Sequence, residues 1–422
     1  MSLLFFAGGE CLTRHGVLVR RTSIEENVVE THTRSGTSGW SLGSDGVLHN
    51  SDANVPRVEH VGGVPYLLLE DARTNLILQS GDFATTWAST NVTVATNVAA
   101  GLDGTTADRL TDNSAAAVGG TDQTITIPDD SEDYCASVYV HKTSHSSNAG
   151  RLFCDVSGGT GVSAVIRFDP ASGVVSPTTG STTPTASGVD DAGTHWRFWV
   201  TVTNNGTGNV SGYMNVQPSF NDDVASASSD VTLVGNCVVW GAQYEQGSRP
   251  SALIPTTTVA VTRNADTFYA DFPHPPRELT TYVKVANYRA GQLNARLFHI
   301  GGTSDTTDPR LQLAVRSGAD IVAIYDDGTT TAQTGAIAAP ADGVTMEFLV
   351  TLSAAGVVDL AASTDAAAQV DVASAAGGAL PAAWAAARLY INSGVATRVG
   401  ANRYASVKVA AGTKTMAEMR AL

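Results

Sequence analysis

Charge is scarce in this chain. Only 15% of its 422 residues are Asp, Glu, Lys or Arg, against roughly 25% in an average globular protein. Thr, Ser, Asn and Gly must therefore carry most of the polar surface. Basic residues are scarcer still: 25 Lys and Arg against 40 Asp and Glu leave a formal net charge of −15. A field of that sign repels phosphate backbones and anionic bilayers, so neither nucleic acid nor a membrane is an expected partner. No apolar run reaches the roughly 18 residues of a membrane-spanning helix. The opening MSLLFFAGGE has an apolar patch with no basic segment before it, which makes a poor signal peptide. It reads as a buried first strand or as an arm packed on a neighbour. Cysteines number four, Cys11, Cys135, Cys154 and Cys237, and none forms a C-x-x-C pair. Buried free thiols are expected, with Cys135 and Cys154 able to meet only if their strands pair.

Helical periodicity is nearly missing as well. The Ala-rich stretch 373–387 is broken by Gly377, Gly378 and Pro381, and only the tail TMAEMRAL (415–422) can wind two turns. The period that is present is two. In HWRFWVTVT, Trp196, Phe198, Val200 and Val202 fall on one face and Arg197, Trp199, Thr201 and Thr203 on the other. VTMEFLVTLS alternates in the same way around Met346, Phe348, Val350 and Leu352, although Leu349 interrupts its polar face. YCASVYVHK repeats the pattern with Tyr134, Ala136, Val138 and Val140. Such alternation marks half-buried strands of antiparallel sheets, and the turn signals SGGTG, DPASG, NNGTGN and DDG separate them at short intervals. The expected class is all-β, with two jelly-roll-like antiparallel sandwiches, at 76–268 and 279–422, behind a small irregular region, 1–75. FPHPPRE, three prolines in seven residues, supplies a stiff linker at 269–278.

Motifs that could carry chemistry are weak. GWSLG (39–43) fits the G-x-S-x-G nucleophile elbow with Ser41 as nucleophile. An elbow needs a strand before the serine and a helix after it; SDGVLHNSD offers another glycine turn, so a surface loop is expected. In HKTSH, His141 and His145 stand four apart, a spacing that converges on a metal only on a helix. Acidic clusters occur at PDDSED (128–133), Asp190–Asp191, Asp222–Asp223 and SDTTD (304–308). None has the D-x-D-x-D-G spacing of a calcium loop, and Asp305 and Asp308 are the candidate pair for calcium. Six tryptophans are candidates for sugar stacking; Trp199, opposite the apolar face of its strand, and Trp87 are the chosen ligand-binding candidates. No catalytic residue is assigned.

Three stretches read together carry a resemblance: DGVLHNSDANVPRVEHVGGVPYLLLEDARTNLILQSGDFATTWAST (45–90), GTHWRFWVTVT (193–203) and VVWGAQYEQGSRPSALIPTTTVAVTRNADTF (238–268). In combination they resemble a group of tailed-bacteriophage virion proteins of the tail-fibre, minor structural or decoration type. There an ANxPR…LLxExxRTNLL opening leads into a carbohydrate-binding-module-like sandwich that closes with WGAQxExGxxPTSYIPT…TRxAD. Asn54, Pro56, Arg57, Leu68, Leu69, Glu70, Arg73, Thr74, Asn75 and Leu76 fit the opening. Trp240 through Gln243, Glu245, Gly247, Pro250, Ile254 through Thr256, Thr262, Arg263 and Asp266 fit the close. Ser251, Ala252 and Leu253 depart from Thr-Ser-Tyr, and Trp196-Arg197-Phe198 from Trp-Tyr-Arg. The final block is similar to concanavalin A-like or laminin-G-like sandwiches.

The resemblance implies a non-enzymatic virion surface protein, either a capsid decoration or head-fibre protein or a short tail-fibre component. It implies other virion proteins as partners and a homo-oligomer, commonly a trimer. Leu3, Leu4, Phe5 and Phe6 are the candidate attachment arm. The alternative is an adhesin that binds a host-surface glycan, and a polysaccharide depolymerase ranks third. No cofactor is expected beyond possible calcium. Arg73 with Glu70, or Arg263 with Asp266, is expected to tie the two ends of the first sandwich together as a surface pair.

Overall fold

The computed structural model describes residues 2–5, 30–36, 39–146, 149–177, 184–220, 233–272, 278–286, 296–301, 309–316, 320–327, 330–338, 344–353, 355–364, 370–373, 387–391, 402–411 and 413–421. The described elements are strands joined into antiparallel sheets, with one short terminal helix, Met416–Ala421. The architecture is all-β, built of sandwiches. The chain forms two compact units, one from residues 45–50 and 73–263, the other from 1–44, 51–72 and 264–422. The first is thus an insertion in the sequence of the second.

The inserted unit is a sandwich of two six-stranded sheets. One runs Ala186–Ala192, His195–Thr203, Asp133–His145, Asn236–Gln246, Thr106–Asp112, Val92–Ala100; the other runs Val175–Pro177, Val162–Phe168, Gly150–Ser157, Ser211–Gln217, Gly120–Thr126, Ala88–Thr90. The alternation read from the sequence sets which face is inward. Tyr134, Ala136, Val138, Val140, Phe198, Val200 and Val202 meet Leu152, Cys154, Ile166, Phe168, Met214 and Val216 in one core. Cys135, Cys154 and Cys237 are buried free thiols; Cys11 lies outside the described residues. The ends of the insertion are paired: Arg73–Asn75 runs antiparallel to Val261–Arg263.

The second unit stacks two eight-stranded sheets around Leu67, Leu69, Val283, Phe298, Leu311, Phe348, Val350, Leu389 and Val407. Here the linear division into attachment region, sandwich, linker and sandwich needs correcting. Arg57–Val61 and Val64–Leu69 pair with each other, and the latter adds to Asn402–Ala411; Glu30–Thr33 adds to Thr267–Phe272. Glu30–Thr33, Arg57–Val61 and Val64–Leu69 are thus strands of the C-terminal unit's sheets, and Leu67 and Leu69 belong to its core. The proline-rich segment likewise joins Thr267–Phe272 to Leu279–Ala286, strands of the two sheets of one unit, so it is no interdomain linker; its residues 273–277 lie outside the described set.

The expected terminal helix forms. Thr415 and Glu418 make a reciprocal capping box: Glu418 N donates to Thr415 Oγ1 at 3.2 Å, and Thr415 N donates to Glu418 Oε2 at 2.7 Å. Lys408 Nζ donates to the carbonyls of Met419 and Arg420 at the other end. Met416 and Met419 then cover Tyr282, Leu349 and Ala361, which explains the apolar Leu349 on an otherwise polar face.

Candidate functional site

Arg57, Glu70 and Asp266, charged residues of the two motif stretches, converge on one buried cluster. In the C-terminal unit Asp266 is fully buried. Its Oδ1 accepts from Arg34 Nη1 at 2.8 Å and lies 3.2 Å from His32 Nε2; its Oδ2 accepts from Arg57 Nη2 and from Glu70 N. Arg57 Nη1 also donates to Glu70 Oε2 at 2.8 Å. Arg34 adds donations to the carbonyls of Ser51 and Asp52, and its own N–H is accepted by Asn54 Oδ1. Two guanidiniums thus face two carboxylates in a site closed to water. Burial opposes the Arg57 charge, yet the Asp266 and Glu70 carboxylates outweigh it and hold its pKa above the ordinary value. Glu70 and Asp266, expected in surface pairs with Arg73 and Arg263, are buried against Arg57, and Arg73 Nη1 donates to the Gln246 carbonyl.

GWSLG belongs to this cluster. Gly39 opens the strand Gly39–Leu42, and a Cβ there would stand 2.7 Å from Arg57 Cδ and 3.1 Å from Arg34 Cζ. The glycine lets the guanidiniums pass close to the backbone. Ser41 is buried in a strand, not poised on an elbow or lying in a surface loop as expected.

In the inserted sandwich the motif's other polar residues seal one outer face. Glu245 accepts from Ser251 N, Ser251 Oγ and Gln243 Nε2 at 2.6–2.7 Å. Gln243 Oε1 accepts from Ile254 N, Arg197 Nη1 donates to Ser251 O, and Thr201 Oγ1 donates to Ser248 O. Ser251, the departure from Thr, keeps the hydroxyl that Glu245 needs. Asn75 Nδ2 donates to the carbonyls of Ala242 and Ile254, and Thr256 Oγ1 donates to Ile77 O. This layer covers Trp199, which is 2% exposed beneath the Arg249 guanidinium, 4.4 Å from its ring centroid. Trp87 is also in the core, stacked on Phe83 and donating from Nε1 to Gln79 O. As placed, neither indole offers an open face for a sugar.

The opposite outer face, on the second sheet, carries residues the motif reading did not select. Strand register sets Asp122 opposite Asn215, and Asn215 opposite Phe153; one step along, Thr124 faces Tyr213 and Tyr213 faces Asp155, which in turn faces Ser163. A third row places Gln217 beside Arg151 and Arg151 beside Arg167. Asn215 Nδ2 donates to Tyr213 Oη at 3.1 Å, and Ser163 Oγ donates to Asp155 Oδ1 at 2.6 Å. Asn215 Oδ1 is buried with no hydrogen-bond partner among the described residues, and the residue is 7% exposed. Burial raises the Asp155 carboxyl to about 6 against the lowering hydrogen bond from Ser163. Burial also raises Asp122, against hydrogen bonds to Tyr213 and Asn215, and burial together with Asp122 lifts the Tyr213 phenol to about 12. The signal that could have found this face is the outward register of RLFCDVS and GYMNVQ, where Phe153 and Asp155 alternate with core Leu152, Cys154 and Val156.

The remaining candidates divide. Ser2–Phe5 is a strand antiparallel to Asn402–Ala411, with Leu3 opposite Val409 and Leu4 opposite Lys408; Phe6 lies outside the described residues, as do Asp305, Asp308 and Asp222–Asp223. His141 stands edge-on to His195 at 4.8 Å, and among the described residues no group of three or more His, Cys, Asp or Glu is placed to hold a metal. In PDDSED, Asp130 accepts from Tyr134 Oη and Asp129 from Gly208 N, so both acids fasten turns.

No family model matches the chain, and no curated protein matches it. Among solved structures it is similar to domains LG4-5 of the mouse laminin α1 chain, at 10% identity and a TM-score of 0.26 over 71% of this chain and 88% of that one.

Proposed function

We propose that the chain is a non-catalytic surface protein of a tailed-bacteriophage virion, a capsid decoration or short tail-fibre component that holds one β-sandwich as an insertion within another. The observation that supports this reading most is the fate of the motif's polar residues. Asn54, Arg57, Glu70 and Asp266 close one unit, and Asn75, Gln243, Glu245 and Ser251 close the other. A motif whose charged and amide groups are engaged internally specifies folding rather than turnover. A Ser41-dependent depolymerase fits poorly with a serine buried in a strand. Other virion proteins are the proposed partners, and self-association into a trimer belongs to the same reading. The test is mass spectrometry and immunogold labelling of purified particles: the chain is expected at a fixed copy number at one site on the head or tail. Its absence from particles made by cells that express it overturns the proposal.

A further inference from the structure

We propose that the edge strand Val92–Ala100 is a pairing surface for a second copy of this chain, which adds the same strand antiparallel across a two-fold axis at Thr93. The strand ends one sheet of the inserted sandwich and pairs on one side, with Thr106–Asp112. Asn113 N donates to Asn91 O at 3.1 Å, and Thr111 stands opposite Thr93. Backbone groups alternate along an antiparallel pair, so Asn91, Thr93 and Ala95 turn theirs towards that neighbour, and Val92 and Val94 turn theirs outward. Neither Val92 nor Val94 has an outward backbone partner among the described residues. Their side chains pack against the core, while Thr93, Ala95 and Thr96 are exposed. The edge is open, and its strand is held from beneath.

A bare edge is a template for another strand, and proteins blunt it with charge, proline, brevity or a bulge. The other strands that end the four large sheets are blunted. Ala88–Thr90, Val175–Pro177 and Thr331–Gln333 have three residues each. Glu30–Thr33 carries Glu30, Arg57–Val61 carries Arg57 and Glu59, Ala186–Ala192 carries Asp190 and Asp191, and Val370–Ala373 carries Asp371. Ser2–Phe5 and Ile337–Ala338, which pair beside those rows, have four residues and two. Val92–Ala100 has nine, VTVATNVAA, with no charge and no proline. Its device is a bulge. Asn97, at φ 58°, donates from N to Asp108 Oδ1 at 3.1 Å where the register shifts between Ala107 and Arg109. Asn91, at φ 54°, bends the chain at the other end. These two left-handed asparagines leave Val92–Thr96 as the free segment.

Charge and symmetry name the occupant. Each copy carries a net charge of −15, so two copies approach best along an uncharged strip. Self-pairing about Thr93 sets Val92 opposite the partner's Val94 and Thr93 opposite the partner's Thr93, with no like charges across the seam. Each copy uses its one such edge, so the contact closes at two. It goes beyond the display reading and is separate from any three-fold association.

The test uses the isolated full chain, so its failure and that of the display reading are separate outcomes. Sedimentation velocity from micromolar to millimolar concentration is expected to show a dimer. Thr93→Lys, an exposed position that then sets like charges on the axis, is expected to weaken it at least tenfold; Thr124→Lys, exposed on the other sheet, is expected to leave it unchanged. Hydrogen exchange on the unsubstituted chain is expected to show protection of 92–96 that rises with concentration, which decides the matter even if a variant fails to fold. A chain that stays monomeric at millimolar concentration, an association that Thr93→Lys leaves intact, or concentration-dependent protection confined to other segments overturns the proposal.

Discussion

Asp266→Asn isolates the charge cluster of the C-terminal unit. The substitution keeps the size and planarity of the side chain and removes one unit of negative charge from a site where Arg34, Arg57 and Asp266 are fully buried and Glu70 nearly so. Two guanidiniums would then face the Glu70 carboxylate, which pairs with Arg57 Nη1 at 2.8 Å. Breaking a buried ion pair from one side costs about 3–5 kcal/mol, because the partner charge is left without compensation. For a unit of some two hundred residues, each kcal/mol shifts the midpoint by about 2–4 °C, so a fall of roughly 6–20 °C is expected. Calorimetry on the full chain reads this directly, with the melting of the inserted sandwich as an internal reference that stays in place. Asp266→Asn combined with Arg34→Met restores charge balance and is expected to recover at least about 1 kcal/mol, as coupled neighbours do. A midpoint unchanged by Asp266→Asn, or a double variant whose losses simply add, would refute the idea that charge balance holds this cluster together.

Acid stability of the inserted sandwich offers a second test. Burial, helped by His141 and Lys142, lowers His195 to about 4. A base depressed in the folded state contributes stability at neutral pH that is lost as pH falls from about 6.5 through 4, in total about 3 kcal/mol. Asp155, raised to about 6, acts in the opposite sense: its burial penalty is relieved as pH falls through 6 towards 4, by a similar amount. The two nearly cancel. His195→Gln should therefore make the sandwich gain stability between pH 7 and 4 relative to the parent, and Asp155→Asn should make it lose stability; denaturant titrations at both pH values that show parallel behaviour would refute this assignment. Gly188→Ala tests whether Trp199 is packed, because a Cβ there would stand 2.5 Å from Trp199 Cζ2. Overpacking of that kind costs about 1–3 kcal/mol, and Trp199→Leu in the same chain should relieve it; a neutral Gly188→Ala means that the ring swings free.

How much of this was legible depends on whether the signal was local. The inward faces of HWRFWVTVT, YCASVYVHK and VTMEFLVTLS were readable because a period of two decides burial wherever one face meets a core. Leu349 looked like an error in the pattern and is instead the seat of the terminal helix, whose methionines cover it. Trp199 could not be placed from its own strand, because what covers it is a segment about 50 residues later, fastened through Glu245 and Ser251. The Arg57–Asp266 contact spans 209 positions. Both residues were visible within the motif, but no spacing rule joins them, so their partners were assigned to sequence neighbours. The Phe153–Asp155 face was missed for another reason: half-buried polar positions on an outward register have the composition of any solvated strand.

The insertion itself has a physical rationale that links the clasp to the sandwich. Residues 73–263 are an excursion of about 190 residues from the C-terminal unit. Closing an unfolded loop of that length costs about 4–5 kcal/mol beyond its constant term, by (3/2)RT ln n. The inserted sandwich removes most of this cost once folded, because Arg73–Asn75 pairs with Val261–Arg263 and brings its own ends together. The C-terminal unit then needs only to recognise the returning chain. It does so within a few residues, through Asp266 N donating to Glu70 O at 2.8 Å and Asp266 Oδ2 accepting from Glu70 N. The motif charges thus mark the two points where the chain leaves the C-terminal unit and comes back to it.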